Sequence, residues 1–103
     1  MIHVVAIITI KPGLRETALT AFRANIPTVL AEDGCIEYGP TVDTDDVGSF
    51  QAKIGADAFM VIEKWRDVAA LKAHAAAPHM VAYGAKVKDM LAGRIVHVLS
   101  PAG

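Results

Sequence analysis

The run Phe59-Met-Val-Ile-Glu-Lys-Trp65 constrains the fold of this chain more than any other stretch. Read with a period of two, Phe59, Val61, Glu63 and Trp65 share one face of a strand, and Met60, Ile62 and Lys64 share the other. Both faces are largely apolar. An antiparallel strand with one face in water alternates apolar with polar residues, so this one needs cover on both sides. Ile2 to Ile10 makes the same demand, with Ile2, Val4, Ala6, Ile8 and Ile10 on one face and His3, Val5, Ile7 and Thr9 on the other.

Pro12 and Gly13 end that first strand, and Leu14, Ala18, Phe22, Ile26 and Val29 then recur at helical steps. Pro27 lacks an N–H, which predicts a kink or a separate last turn before Asp33-Gly34. Cys35 to about Thr44 reads as a second strand, with Ile36 and Tyr38 on one face and Pro40 marking an edge or a bulge. The acidic segment Asp43-Thr44-Asp45-Asp46 then reverses the chain. It is a poor calcium loop, because the twelfth position counted from Asp43 is Ile54, where a bidentate Glu is needed. A solvated turn accounts for it better.

Beyond Trp65-Arg66, Asp67 can cap a helix carrying Val68, Leu71 and Ala75. Pro78 suits the first turn of another helix, whose stripe is Met80, Tyr83, Val87, Met90 and Leu91 and whose C-terminal cap is Gly93. Arg94 to Leu99 is a last strand. The order is β-α-β-β-α-β, with the second helical segment split. This predicts an α+β, ferredoxin-like single domain over residues 1–103, a four-stranded antiparallel sheet with its helices on one face.

Such a sheet leaves its other face bare. If about five side chains among Val4, Ile8, Met60, Ile62, Ile95 and their neighbours met water, the forgone burial would be about 8–15 kcal/mol at ~1.5–3 each. That equals a whole domain's margin of about 5–15 kcal/mol, so a homodimer through the sheet face is expected. Hydrophobic residues make up 53% of the chain and charged ones 20%, against about 25% in an average domain, an excess that a buried subunit interface explains.

With 10 Lys and Arg against 11 Asp and Glu, no basic surplus exists to neutralise a phosphate backbone, which argues against nucleic acid. The uncharged run Met1 to Ile10 is about half the ~20 residues of a membrane span, and no charged residue precedes it as in a secretory signal. The expectation is a protein of the cytoplasm without membrane attachment. The lone Cys35 cannot form an internal disulfide and reads as a small buried thiol beside Gly34.

A pocket in this architecture belongs between the sheet and the helices, beside the irregular joint at Ala76 to Pro78. Glu63, Trp65, His74, His79 and Tyr83 can reach it. Trp65 is either core or a pocket wall aiming its indole N–H at a ligand. His74 lies beside the buried stripe, either satisfied by backbone carbonyls or acting as a proton acceptor in a cleft. His79 either closes the joint or joins the site. Glu63, if buried, needs a partner, with His74 and Arg66 as candidates. Metal spacing is absent: the central histidines lie five apart across a helix break, and no H-E-x-x-H or C-x-x-C occurs. Glycine-rich nucleotide fingerprints are absent as well. Any redox reaction must draw its electrons from the substrate or from a separately bound cofactor.

Glu63-x-Trp65, Leu71-x-x-His74 and Pro78-His79 resemble the E-x-W, L-x-x-H and P-H pattern of the antibiotic-biosynthesis monooxygenase family. Asp33-Gly34-Cys35-Ile36-x-Tyr38 resembles that family's E-x-G-C-x-x-Y element, with Asp33 displaced from the usual Glu. The resemblance implies a dimeric α+β barrel whose enzymatic members oxidise quinols, anthrones or related aromatics with O2, often with neither metal nor flavin, so no cofactor is expected. It also implies His74 as base or hydrogen-bond partner, Trp65 as wall and donor, Tyr83 as a second polar contact and Glu63 as an orienting group.

Haem-degrading relatives use an Asn on the first strand, where this chain has Ala6, so haem is not expected. The segment from Tyr38 to Trp65 is longer than is usual in the family, which predicts an extended hairpin or lid over residues 44–57. Two rival readings stand beside the monooxygenase. One is an isomerase of the type that processes a phosphorylated autoinducer-2 sugar, whose phosphate calls for clustered basic groups that the sequence does not locate. The other is a non-catalytic dimer that binds a small ligand or another protein.

Overall fold

The computed structural model describes residues 1–103. Strands β1 (Ile2–Ile10) and β3 (Ala58–Trp65) form the middle of a four-stranded antiparallel sheet, with β2 (Cys35–Thr41) outside β3 and β4 (Leu91–Leu99) outside β1. The two strands with apolar residues on both faces thus take the interior positions. Ile2 lies opposite Trp65, Val4 opposite Glu63, Ala6 opposite Val61 and Ile8 opposite Phe59. This face packs beneath α1 (Arg15–Leu30), α2 (Val68–Ala76) and α3 (Pro78–Val87). The core joins Val4, Phe59, Val61 and Trp65 of the sheet to Leu19, Phe22 and Val29 of α1.

The other face carries Val5 and Ile7 of β1, Met60 and Ile62 of β3, and Ile95 and Leu99 of β4. Nothing within the chain covers it, and Ile95 is 57% exposed. Val4 and Ile8 do not belong to this set as expected. Both share the helix-facing side with Glu63 and Phe59, where Val4 is buried in the core. No helix is long and apolar enough to cross a membrane.

Several local expectations are corrected. Helix α1 runs unbroken through Pro27, which sits on its exposed side one turn from the end. There the lost donor costs one bond and the ring crowds only a solvent-side carbonyl. In β2, Cys35 pairs with Trp65 and Glu37 with Lys64, so Ile36 is a bulge and points outward while Tyr38 is buried. The strand is also shorter than read, ending at Thr41.

Residues 42–57 contain no strand, so the expected hairpin is a loop. Asp43 closes it, accepting from the Ile54 N–H at 3.0 Å and the Gly55 N–H at 2.9 Å, while Phe50 at its tip is 84% exposed. These two backbone bonds hold the Asp43 carboxyl below its ordinary range.

Helix α3 stops at Val87, so Leu91 and Gly93 belong to β4 rather than to a helix end. The Lys11 N–H bonds the Met90 carbonyl at 2.9 Å, and a register shift lets Leu91 pair with Ile10 and Gly93 with Thr9. In α2, Asp67 caps as expected, accepting from the Ala70 N–H at 2.8 Å. The helix buries Ala70 and His74, however, and leaves Val68 exposed.

Candidate functional site

The site begins at a turn. Between α1 and β2, Gly34 adopts φ +86°, and a Cβ there would stand 2.6 Å from the Ala70 Cβ. Only glycine gives that backbone at so close an approach. The turn thereby sits against the start of α2, and its carbonyl accepts from the Arg66 N–H at 2.8 Å. This contact sets Glu32, two residues earlier, beside the joint between α2 and α3.

Glu32 holds both central histidines. Its Oε2 lies 2.6 Å from His74 Nδ1 and its Oε1 lies 2.9 Å from His79 Nε2. A carboxylate only accepts, so those two nitrogens carry the protons. His74 keeps Nε2 without a partner, on a side chain only 7% exposed that lines the main cavity. The other nitrogen of His79, Nδ1, is buried and unpartnered.

The main cavity measures about 420 Å³ and opens between the helix-facing sheet and helices α2 and α3. Val4, Ala6, Ile8, Val61, Leu71 and Met80 supply much of its apolar wall. Its polar groups are Glu63, His74, Tyr38, Tyr83, Lys88 and Arg94. The size falls within the range of small-molecule sites, about 300–1,000 Å³. Burial raises the Glu63 carboxyl above its ordinary value, against the opposing pull of the Trp65 hydrogen bond, of His74 and of the Arg94 charge. Burial also raises both phenols: Tyr38 upward, with Glu63 adding to the effect, and Tyr83 to about 12. A second cleft of about 370 Å³, lined by Glu32, Asp33, Arg66 and Ala73 among others, lies against the same imidazole of His74.

The cavity lies where the sequence placed it, and Glu63, His74 and Tyr83 line it. Trp65 does not. Its indole is fully buried, donates to Glu63 Oε1 at 2.8 Å, and lies 4.7 Å from the His74 ring, centroid to centroid. The expected wall and ligand donor is therefore a support behind two lining residues, because the N–H is already used on Glu63. His79 likewise stands off the cavity, on Glu32. The partner of Glu63 is Trp65 rather than His74 or Arg66, and Arg66 instead pairs with Asp33 and Asp67, each at 3.1 Å.

Sequence reasoning missed Glu32, Tyr38, Lys88 and Arg94. The signal for Glu32 was present: Glu32-Asp33-Gly34-Cys35-Ile36-Glu37-Tyr38 fits E-x-G-C-x-x-Y with no displacement, so Asp33 was assigned one position late. Tyr38 stacks on Phe22 at 5.1 Å and meets the His74 ring edge-on at 5.5 Å. Lys88 and Arg94 supply the cationic groups that the sequence could not locate, since only the fold brings the end of α3 and the start of β4 to one rim.

Comparison with known proteins agrees with this architecture. The family profile described as "Antibiotic biosynthesis monooxygenase" matches residues 1–86. The chain is 39% identical over 103 residues to "Probable quinol monooxygenase YgiN" of Escherichia coli (strain K12), covering 98% of each chain. Among solved structures, PA3566 from Pseudomonas aeruginosa superposes with a TM-score of 0.80 at 27% identity, covering 99% of this chain and 94% of that one. Rv0793 from Mycobacterium tuberculosis does so with a TM-score of 0.79 at 27% identity, covering 99% and 95%.

Proposed function

The chain belongs to the antibiotic biosynthesis monooxygenase family, and from that premise we propose that it oxidises a quinol- or anthrone-like aromatic with O2, without a cofactor, in the cavity beside His74. One observation carries the reading. The imidazole of His74 is fixed by Glu32 through Nδ1, its Nε2 makes no hydrogen bond, and the residue lines a largely apolar cavity of suitable size.

The chemistry follows from that geometry. A neutral imidazole nitrogen can accept a proton, and a carboxylate on Nδ1–H fixes the tautomer and stabilises the imidazolium that forms. Nε2 takes a phenolic proton, and the electron-rich anion passes an electron to O2. The pair then joins through a ring carbon–oxygen bond. When the O–O bond breaks, one oxygen stays on the ring and the other leaves as water, so quinol and O2 become hydroxyquinone and water. The apolar wall keeps bulk water from the reduced oxygen. Glu63 and Tyr83 are the polar contacts for substrate oxygens. Trp65 positions Glu63 and packs on His74, and His79 holds Glu32.

The functional unit in this reading is a homodimer formed by a second copy covering the open sheet face of Val5, Ile7, Met60, Ile62 and Ile95. Oxygen uptake with a panel of hydroquinones tests the reaction. Turnover that survives a chelator and places one atom of labelled O2 in the product supports it. Absence of uptake across the panel, or an equal rate after His74→Ala, removes it and favours a binding protein.

A further inference from the structure

Resting on the reading of the cavity as an oxidation site, we infer that its substrate is an aromatic bearing an anionic substituent, which Arg94 and Lys88 hold at the rim. The cavity carries two cations at its rim and the buried Glu63 further in, and the Arg94 charge reaches the Glu63 carboxyl. Arg94 on β4 lies opposite Ile8, and Glu63 on β3 lies opposite Val4, on the same face of β1. Four residues of strand separate those levels, about 13 Å at 3.3–3.4 Å per residue. Between them the wall is apolar: Val4, Ala6, Ile8 and Val61 beneath, Leu71 and Val87 from the helices.

Arg94 and Lys88 are both exposed, and neither makes an ion pair, whereas Arg66 is neutralised by Asp33 and Asp67 and Lys64 by Glu37. A neutral ring filling the slot would draw water away from two cations and offer nothing in return. A carboxylate, sulfonate or phosphate on that ring would meet them with charge-assisted bonds, and the Arg94 guanidinium can grip two oxygens at once. The spacing then orients the molecule, with its anionic end at the rim and its hydroxyl toward His74 and Glu63.

Calorimetric titration with naphthoate and its neutral isostere naphthamide tests this apart from turnover, because neither is a quinol. Naphthoate is expected to bind at least about tenfold more tightly, by an advantage that shrinks with added salt. Arg94→Gln should collapse the ratio toward one, while Arg94→Lys should keep most of it. Lys88→Gln gives an independent arm should the Arg94 variants fold poorly. Equal affinities in the unaltered protein, or a preference that survives Arg94→Gln combined with Lys88→Gln, overturn the inference. Oxygen uptake separates the two readings. Turnover of a neutral hydroquinone without anion preference leaves the reaction and removes the rim site, and preference without turnover does the reverse.

Discussion

Glu32 reaches across 42 residues of sequence to place Oε2 2.6 Å from Nδ1 of His74. The contact makes an imidazole with one nitrogen committed and one free, and the two functions can be separated by substitution. His74→Asn keeps an amide donor near the position of Nδ1 and removes Nε2. Oxygen uptake should fall at least about 100-fold, the lower range for loss of an acid–base group, with little change in far-UV circular dichroism. Glu32→Gln should also slow turnover, because an amide leaves the tautomer unfixed and the imidazolium without a counter-charge. If His74→Asn retains the parent rate, this histidine is not the base.

Glu63 gives a pH dependence of definite sign. Burial raises its carboxyl above the ordinary value of 4.5, so the folded state binds a proton that the unfolded chain has released. Stability therefore falls as pH rises from about 4.5 through the raised value. Asp43 and Asp67 are shifted downward from 3.8 and act with the opposite sign at lower pH, which leaves the upper window to Glu63. Glu63→Gln keeps an acceptor for the Trp65 indole and removes the charge. Its urea midpoint should be flat across that window and higher than that of the parent at neutral pH. Parallel curves for the two proteins would falsify the assignment.

The parts of this fold legible in the sequence are those set by periodic burial. Two strands apolar on both faces were legible as strands, which the structure sets side by side in the middle of the sheet, and Asp67 and Pro78 marked helix starts that it keeps. What could not be read depended on partners distant in sequence. Ile36 reads as sharing a face with Tyr38 until the bulge turns it outward, and a pocket-wall role for Trp65 stays open until Glu63 takes its N–H. Arg94 and Lys88 form one rim only because α3 ends early and β4 begins at Leu91. His74 was identifiable as a candidate, but its orientation was not, because Glu32 arrives from another element.

Gly34 connects stability to the site. Replacing it with Ala forces a side chain into φ +86° and drives a Cβ to 2.6 Å from that of Ala70. Backbone strain of about 1–3 kcal/mol and overpacking of about 1–3 kcal/mol give an expected loss of roughly 2–6 kcal/mol. The melting temperature should drop by at least about 8 °C. Adding Ala70→Gly should restore only the packing share, since the backbone strain remains. Full recovery in the double variant would show that the positive φ carries no cost there.

The open sheet face yields the last prediction. Val5, Ile7, Met60, Ile62 and Ile95 lie together on it, and burying about five such side chains is worth roughly 8–15 kcal/mol. Association costs several kcal/mol in lost freedom, so the surplus supports a dimer at micromolar concentration or below. Sedimentation should give twice the 10.9 kDa chain mass. Ile95→Glu should yield the monomer. Ile95 is 57% exposed in one copy, so within the protomer the change should cost no more than about 0.5 kcal/mol, but a second copy would bury the carboxylate unpaired. Ala24→Glu, on the exposed side of α1, should remain dimeric. A monomeric parent, or an Ile95→Glu protein that still sediments as a pair, would mean that this face is not where two copies meet.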